Sequence, residues 1–370
     1  MIYLNNAATS YPKPPSVVDA TIGALRAMPA SALRSSLADD QQLPTLRERL
    51  GELFHIADTH RIYLASGATD ALNRVIGGLD APAIVATDNH NSVLRPICNR
   101  RGTSGYQLTP LTPDLESLRE MLDNDKPKPG TLLVVNHCSN VTGHIHDLSP
   151  ICQLAHAYGL LVLADVSQSA GCIPIDVDGW GIDLLAFTGH KALMGPQGTG
   201  GYYVHEGIDL RPTMFGGTGR DSSIVTYEDG NWEYEVGTPN LPGLAGLSAG
   251  VEVVLRQGVR HIFEQERTQT NWLISALRAT AGVKVYGTGG EAQGPVVSFN
   301  IEGLLPSDVG YILQNSYGIT VRTGLHCAPL IHQELGTAPQ GTVRASLSCH
   351  TTDAHLQALV DAVGEISRSL

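Results

Sequence analysis

The sequence predicts an α/β fold, a mostly parallel sheet wound with helices and followed by a smaller α+β domain, and three observations carry that prediction. From about residue 60, short apolar runs alternate with amphipathic stretches at helical spacing, as strands and helices around a parallel sheet do. Polar residues repeatedly stand where an apolar run stops, as Asn136-His137, Asp165 and Thr188 do. The last part of the chain changes to a different rhythm of strands and helices, so a second core is expected there.

With 370 residues the chain is longer than one core usually serves, and about two domains of roughly 150 residues each are expected. Apolar residues make up 42% and charged residues 16%, with 40 glycines, which excludes a disordered or coiled-coil chain. We place a large domain over 16–250 and a small one over 251–370, joined by the N-terminal segment 1–15.

Taken in order, residues 64–72 (LASGATDAL) read as a strand, a Ser-Gly-Ala-Thr turn and a helix start. Buried strands are expected at 131–135, 159–164 and 182–187, with a helix at 149–158. The glycine run at 195–201 leads into a strand at 201–204, and 216–234, rich in Gly, Ser, Asp and aromatic residues, reads as an extended excursion. Helical patterns cover 247–257 and 262–280. Strands are then expected at 294–301, 319–322 and 343–346, with helices at 307–315 and 353–367.

There are 24 Lys and Arg against 36 Asp and Glu, a formal net charge of -12, which argues against a broad nucleic-acid or lipid footprint. Any anion must be caught locally. The start shows no basic segment followed by an apolar run, and no apolar stretch reaches the ~18 residues of a membrane span, so a cytoplasmic protein is expected. The six cysteines form no C-x-x-C pair and no zinc spacing, so no metal is expected; most should be small buried hydrophobes, with room for one reactive thiol.

Ligands of open α/β sheets bind outside the carboxyl ends of the strands. Asp165 and the cluster Thr188, His190 and Lys191 should therefore face one crevice. The glycines at 195–201 do not form G-x-G-x-x-G and precede a strand instead of following one, so a dinucleotide site fails on context, and no P-loop pattern occurs. The turn at Gly67, Ala68 and Thr69 offers backbone N–H groups and a hydroxyl to an anion, but alone it reads more readily as a helix cap. Asp165 alone would likewise be a cap, and Lys191 alone a surface charge. Together they suit pyridoxal phosphate, which needs a lysine for a Schiff base, a carboxylate at the pyridine nitrogen, a flat partner for the ring, and hydroxyls or amides for the phosphate.

The ordered set of His90 in DNHNSVLRP, Asn140 in SNVTG, Asp165 and Gln168 in DVSQSAG, TGHK at 188–191 and RTGLHCA at 322–328 resembles the class V aminotransferase family, specifically its cysteine desulfurases. The resemblance runs from NNAAT at 5–9 to VRAS at 343–346. It implies a fold-type I pyridoxal-phosphate enzyme with a seven-stranded large-domain sheet. It also implies Lys191 as the Schiff-base lysine, Asp165 at the pyridine nitrogen, His90 stacked on the ring and Gln168 on the phenolic oxygen. Asn140 would sit near the ring or the substrate carboxylate. Gly67, Ala68, Thr69, Thr188 and His190 would hold the phosphate, with Thr238 added from the other subunit of a homodimer. Arg344 would clamp the substrate carboxylate, with Arg322 close by.

Cys327 matches the desulfurase cysteine that takes the substrate sulfur as a persulfide and leaves alanine; without its motif it would read as a buried thiol. His326 and Arg322 are the sequence-local groups that could activate it. The short segment 322–327 resembles group II desulfurases, which often depend on a sulfur-acceptor protein and some of which prefer selenocysteine. Ala68 stands where many relatives carry a second threonine. Cysteine, selenocysteine and cysteine sulfinate remain open as substrates, as do iron–sulfur assembly, thiolated cofactors and selenium metabolism as destinations. A lyase, epimerase or aminotransferase that does not use Cys327 is the alternative.

Overall fold

The computed structural model describes residues 1–27, 42–99, 106–109, 115–217, 223, 225–226 and 233–370, so most of the excursion expected at 216–234 lies outside the described residues. The strands in chain order are β1 Ile2–Tyr3, β2 Ile62–Ala65, β3 Ala83–Ala86, β4 Tyr106–Thr109, β5 Leu132–Asn136, β6 Leu161–Asp165 and β7 Leu184–Thr188. They continue as β8 Gly200–Val204, β9 Val283–Val285, β10 Val296–Ile301, β11 Ile319–Thr320, β12 Arg322–Gly324 and β13 Thr342–Ser346.

Seven strands form the large sheet, in the order β2-β8-β7-β6-β5-β3-β4. Six run parallel; β8 alone is antiparallel to both its neighbours, β2 and β7. The chemistry of the connection explains the exception. Parallel neighbours need a crossover helix, whereas the glycine run after Lys191 is a short return that can only bring the chain back antiparallel.

Side chains alternate across this sheet with period two. Leu133 and Val135 of β5 enter one core, together with Leu46 and Leu50 of helix Gln42–Phe54 and Leu247 and Val251 of helix Leu241–Gln257. Leu132 and Val134 enter another, with Leu72 and Val75 of helix Ala68–Gly78 and Val93 of helix Asn91–Cys98. The sheet is thus buried on both faces, and each fully buried Leu or Val contributes about 1.5–3 kcal/mol.

A four-stranded antiparallel sheet, β12-β13-β10-β9, packs on its own core with helices Val259–Arg278, Pro306–Tyr317 and Asp353–Arg368. The strand expected at 319–322 is two strands. Ile319 and Thr320 pair in parallel with β1, and the chain then crosses at Val321 so that Arg322 to Gly324 pair with β13. The periodicity is continuous, but the partner changes because the N-terminal strand captures the first half. Helices Pro15–Arg26 and Gln42–Phe54 were not anticipated. Among the described residues no helix is long and apolar enough to cross a membrane.

The seam between the cores holds Glu266, which is 2% exposed and whose Oε2 has no hydrogen-bond partner. Burial raises its pKa to about 8, against a lowering by the backbone N–H of Cys349. The folded value lies above the unfolded one, so this carboxyl's contribution to stability is complete below the unfolded pKa and is lost as pH rises through about 8. Glu266→Gln should therefore melt above the unmodified protein at about pH 8.5, with the gap closing on acidification, as differential scanning fluorimetry across pH would show.

Candidate active site

Asn136, Asp165 and Thr188 are the last residues of β5, β6 and β7, and the register sets Asn136 beside Asp165 and Asp165 beside Ala186. They open on a cleft of about 410 Å³. Its walls also carry Gly67, Ala68, Thr69, His90, Asn140, Gln168, His190, Lys191, Arg322 and Arg344. Of the residues nominated from sequence, only Cys327 and Thr238 do not line it. Cys327 is held next to it by Arg322, and Thr238 is exposed elsewhere on the chain.

One end of the cleft is the turn from β2 into helix Ala68–Gly78. Gly67 caps that helix at φ +148°, a conformation that L side chains rarely adopt. A Cβ at Gly200 would lie 2.7 Å from the Gly67 Cα and 2.6 Å from the Phe187 carbonyl oxygen, so glycine there lets β8 and the turn meet. The first N–H groups of the helix are left for an anion. Thr69 Oγ1 is tied to Ser92 Oγ at 2.7 Å.

His90 caps the next helix, and its Nδ1 accepts from the Ser92 N–H at 3.0 Å, which places the proton of the neutral ring on Nε2. Burial, then the charge of Lys191, lowers its pKa to about 4. Asp165 is 3% exposed, and both its hydrogen bonds land on Oδ1, from Ser167 N at 2.9 Å and Ser167 Oγ at 2.5 Å. Oδ2 is left to receive a donor from the cleft. Burial lowers the Lys191 pKa to about 8; Asp165 opposes this, while Arg344 and Arg322 add to it.

On the other side, Arg322 and Arg344 are direct cross-strand partners, two like charges where a sheet ordinarily avoids them. Arg344 is fully buried, donates from Nη1 to the Asn140 carbonyl at 2.9 Å, and has no partner for Nε or Nη2. Burial first, then Arg322, lowers its pKa to about 9. Arg322 donates from Nη2 to Cys327 Sγ at 3.0 Å. The cysteine turn is pinned twice more: Asn140 Nδ2 donates to the His326 carbonyl and the Asn91 N–H to the Cys327 carbonyl, both at 2.7 Å.

Residues 2–359 match the family model Aminotransferase class-V. The chain belongs to the class-V aminotransferase family. A probable cysteine desulfurase of Methanothermobacter thermautotrophicus is similar at 31% identity over 383 residues, covering 99% of this chain and 94% of that one. A cysteine desulfurase of Escherichia coli O7:K1 is 31% identical over 391 residues, covering 100% and 94%. Among solved structures, the apo cysteine desulfurase of Thermococcus onnurineus NA1 aligns with a TM-score of 0.87 at 29% identity, over 100% of this chain and 95% of that one.

Within this class-V site the sequence reading missed Asn136, Ser92 and Ser167. The two serines carry a readable signal, since each stands two residues after a nominated residue, where a side chain closes a local turn. His326 is corrected as a candidate to activate Cys327. Its Nε2 is engaged with Thr342 Oγ1 at 2.9 Å, and burial, then Arg344, pushes its pKa down to about 2. Arg322 is the group on the sulfur. Gln168 donates from Nε2 to the Ala7 carbonyl at 3.2 Å, which fixes its amide at the cleft wall.

Lys191 should titrate apart from the surface lysines. In the cofactor-free protein its reaction with trinitrobenzenesulfonate should rise with pH through a midpoint near 8, since only the neutral amine is nucleophilic. A midpoint at the ordinary lysine value in the mass-mapped Lys191 peptide would contradict this.

Proposed function

We propose that this chain is a pyridoxal-phosphate-dependent cysteine desulfurase that moves the sulfur of L-cysteine onto Cys327 and releases L-alanine. The observation that carries the reading is Cys327 Sγ held by Arg322 beside the cleft that contains Lys191, Asp165 and the unpaired edge of Arg344.

The donor set fits the cofactor. His190 Nδ1 is buried without a partner, the helix start at Gly67, Ala68 and Thr69 is open, and Thr188, also on the cleft wall, has its Oγ1 3.7 Å from where a Cβ on Gly67 would lie. These residues would hold the phosphate, Asp165 Oδ2 the pyridine N–H, His90 the ring face and Gln168 the phenolic oxygen. When bound, pyridoxal phosphate supplies an electron sink at the substrate α-carbon.

The chain's own groups do the rest. Arg344 offers two orphaned donors on one planar group, the match for a carboxylate taken in a bidentate grip, with Asn140 fixing its other side. The Lys191 amine, held near neutrality, removes and returns the substrate proton. The Cys327 sulfur attacks the substrate sulfur as a thiolate. A sulfur–sulfur bond forms, the carbon–sulfur bond breaks, and its electron pair goes to the substrate carbon, which protonation converts to alanine. Because the carbonyls of His326 and Cys327 are both tied down, the sulfur acceptor must come to Cys327.

Three further parts belong to this reading. The enzyme acts as a cytoplasmic homodimer in which Thr238, exposed and outside its own cleft, reaches the partner's phosphate site. A separate sulfur-acceptor protein carries the product sulfur away. The two-domain division near residue 250 is supported by separate cores bridged by helix Val259–Arg278, with Ile262 in one and Leu273 in the other.

The test is alanine formation from L-cysteine with a reductant present, with selenocysteine and cysteine sulfinate in parallel. Cys327→Ala should lower the cysteine reaction by at least about a hundredfold while the purified protein stays yellow, because a nucleophile is lost and the cofactor site is not. Lys191→Ala should lose the lysine-bound colour. Undiminished turnover in Cys327→Ala would replace this reading by the lyase, epimerase or aminotransferase alternative.

A further inference from the structure

Lys13 lies in the N-terminal segment and has no part in the reaction described above. Its ammonium donates to the carbonyl oxygen of His190 at 2.8 Å and to Ser10 Oγ at 2.8 Å. The same carbonyl oxygen receives Ser10 N at 3.0 Å, Thr9 Oγ1 at 3.1 Å and Ser10 Oγ at 3.2 Å. A carbonyl oxygen has two lone pairs. Four donors converging on one oxygen are more than packing alone asks for, and the oxygen they surround belongs to the peptide that joins His190 to Lys191.

The donors come from a strap whose other end is fastened to the small sheet. β1 pairs with β11, the Ala7 N–H donates to Ser346 Oγ at 2.9 Å, and Asn6 Nδ2 donates to the Ser346 carbonyl at 3.0 Å. Ser346 ends β13, the strand that carries Arg344. The strap thus runs from the arginine strand to the lysine turn, and a charge-assisted bond, the strongest kind available to it, closes the far end. Lys13 is half-buried, and burial lowers its pKa to about 8. Its charge also acts on the ring beside it, since the pKa of His190 is lowered to about 4 by burial, then Lys191, then Lys13.

We propose that Lys13 is a positioning residue whose ammonium clamps the His190 carbonyl, fixing His190 and Lys191 relative to each other and to the strap that reaches the Arg344 strand. The proposal rests on the reading of Lys191 as the cofactor lysine. The clamp leaves a signature of its own at His190, which needs no cofactor to be observed.

Lys13→Met and Lys13→Arg test it, with Lys13→Gln as a neutral hydrogen-bond donor should the methionine variant not fold. In the cofactor-free protein, NMR titration of the His190 ring should show its pKa raised in Lys13→Met and Lys13→Gln and left in place in Lys13→Arg. A residue that serves only general stability would not move it. Titration of the cofactor-free proteins with pyridoxal phosphate should show affinity about tenfold weaker in Lys13→Met, the weight of one hydrogen bond to a charged group. In steady-state assays, kcat for L-cysteine should fall with KM within about twofold, since the substrate grip is untouched. An unmoved His190 titration in a folded Lys13→Met protein, or cofactor affinity within about twofold of the unmodified protein, would overturn the clamp. Failure of the cofactor reading would look different: the unmodified protein would take up no pyridoxal phosphate, and the His190 titration would still decide for or against Lys13.

Discussion

A buried guanidinium with two of its three nitrogens unpaired is the constraint around which this site is arranged. Removing such an ion from water costs several kcal/mol unless hydrogen bonds replace the lost hydration, and Arg344 has one such bond, to the Asn140 carbonyl. Arg322, a like charge, stands directly across the strand pair. The rest of the wall follows by short steps. Asn140 turns its amide to the His326 carbonyl, the next residue is Cys327, and Cys327 is bonded to Arg322 on one side and to the Asn91 N–H on the other. Asn91 opens the helix that His90 caps. Arg344, Asn140, the turn at His326 and Cys327, and the helix capped by His90 are therefore one hydrogen-bonded unit.

Concentrating cations here changes what the histidines can do. The chain carries a net charge of -12, yet at this cleft Lys191, Arg322 and Arg344 all act on His90, Arg344 and Arg322 on His326, and Lys191 on His190. The pKa values of His90 and His190 are held near 4 and that of His326 near 2, burial coming first in each case. All three rings are neutral at physiological pH: His90 accepts at Nδ1 from the Ser92 N–H, His326 is bonded through Nε2 to Thr342, and the buried Nδ1 of His190 has no partner. Positive charge is left to Arg322, Arg344 and Lys191, and burial brings the Lys191 midpoint down to about 8.

The legible part of this molecule was what lies at strand ends. Apolar runs that stop at Asp165 and Thr188 placed those side chains on one crevice because parallel strands share a carboxyl edge. Lys191, His190 and the turn at Gly67 to Thr69 followed from residue types with a common chemical use, and His90 from the resemblance to the class V aminotransferases. Pairing between distant segments was not legible. The split of 319–322 between two sheets depends on β1, more than three hundred residues earlier in the chain, and nothing local marks it. Lys13 was hidden for the same reason: its partner is a backbone carbonyl, which has no sequence identity to read. His326 was misjudged because nearness in sequence says nothing of which way a ring points, and its ring points to Thr342.

The cysteine turn shows how much structure is spent on keeping one sulfur in place. His326 and Cys327 both lie at positive φ, 48° and 61°, a region in which a residue other than glycine costs about 1–3 kcal/mol. Two such residues in succession persist only because their surroundings over-determine them: both carbonyls are bonded, the His326 ring is held by Thr342, and the sulfur is held by Arg322. Relaxing to an extended turn would carry the sulfur away from Arg322 and break the bonds to Asn140 and Asn91 together. In the proposed reaction the strain is the cost of preorganisation: a sulfur aimed before substrate arrives need not be ordered during the reaction. A long mobile segment could deliver its sulfur to distant acceptors, whereas this short strained one can only present it at the cleft.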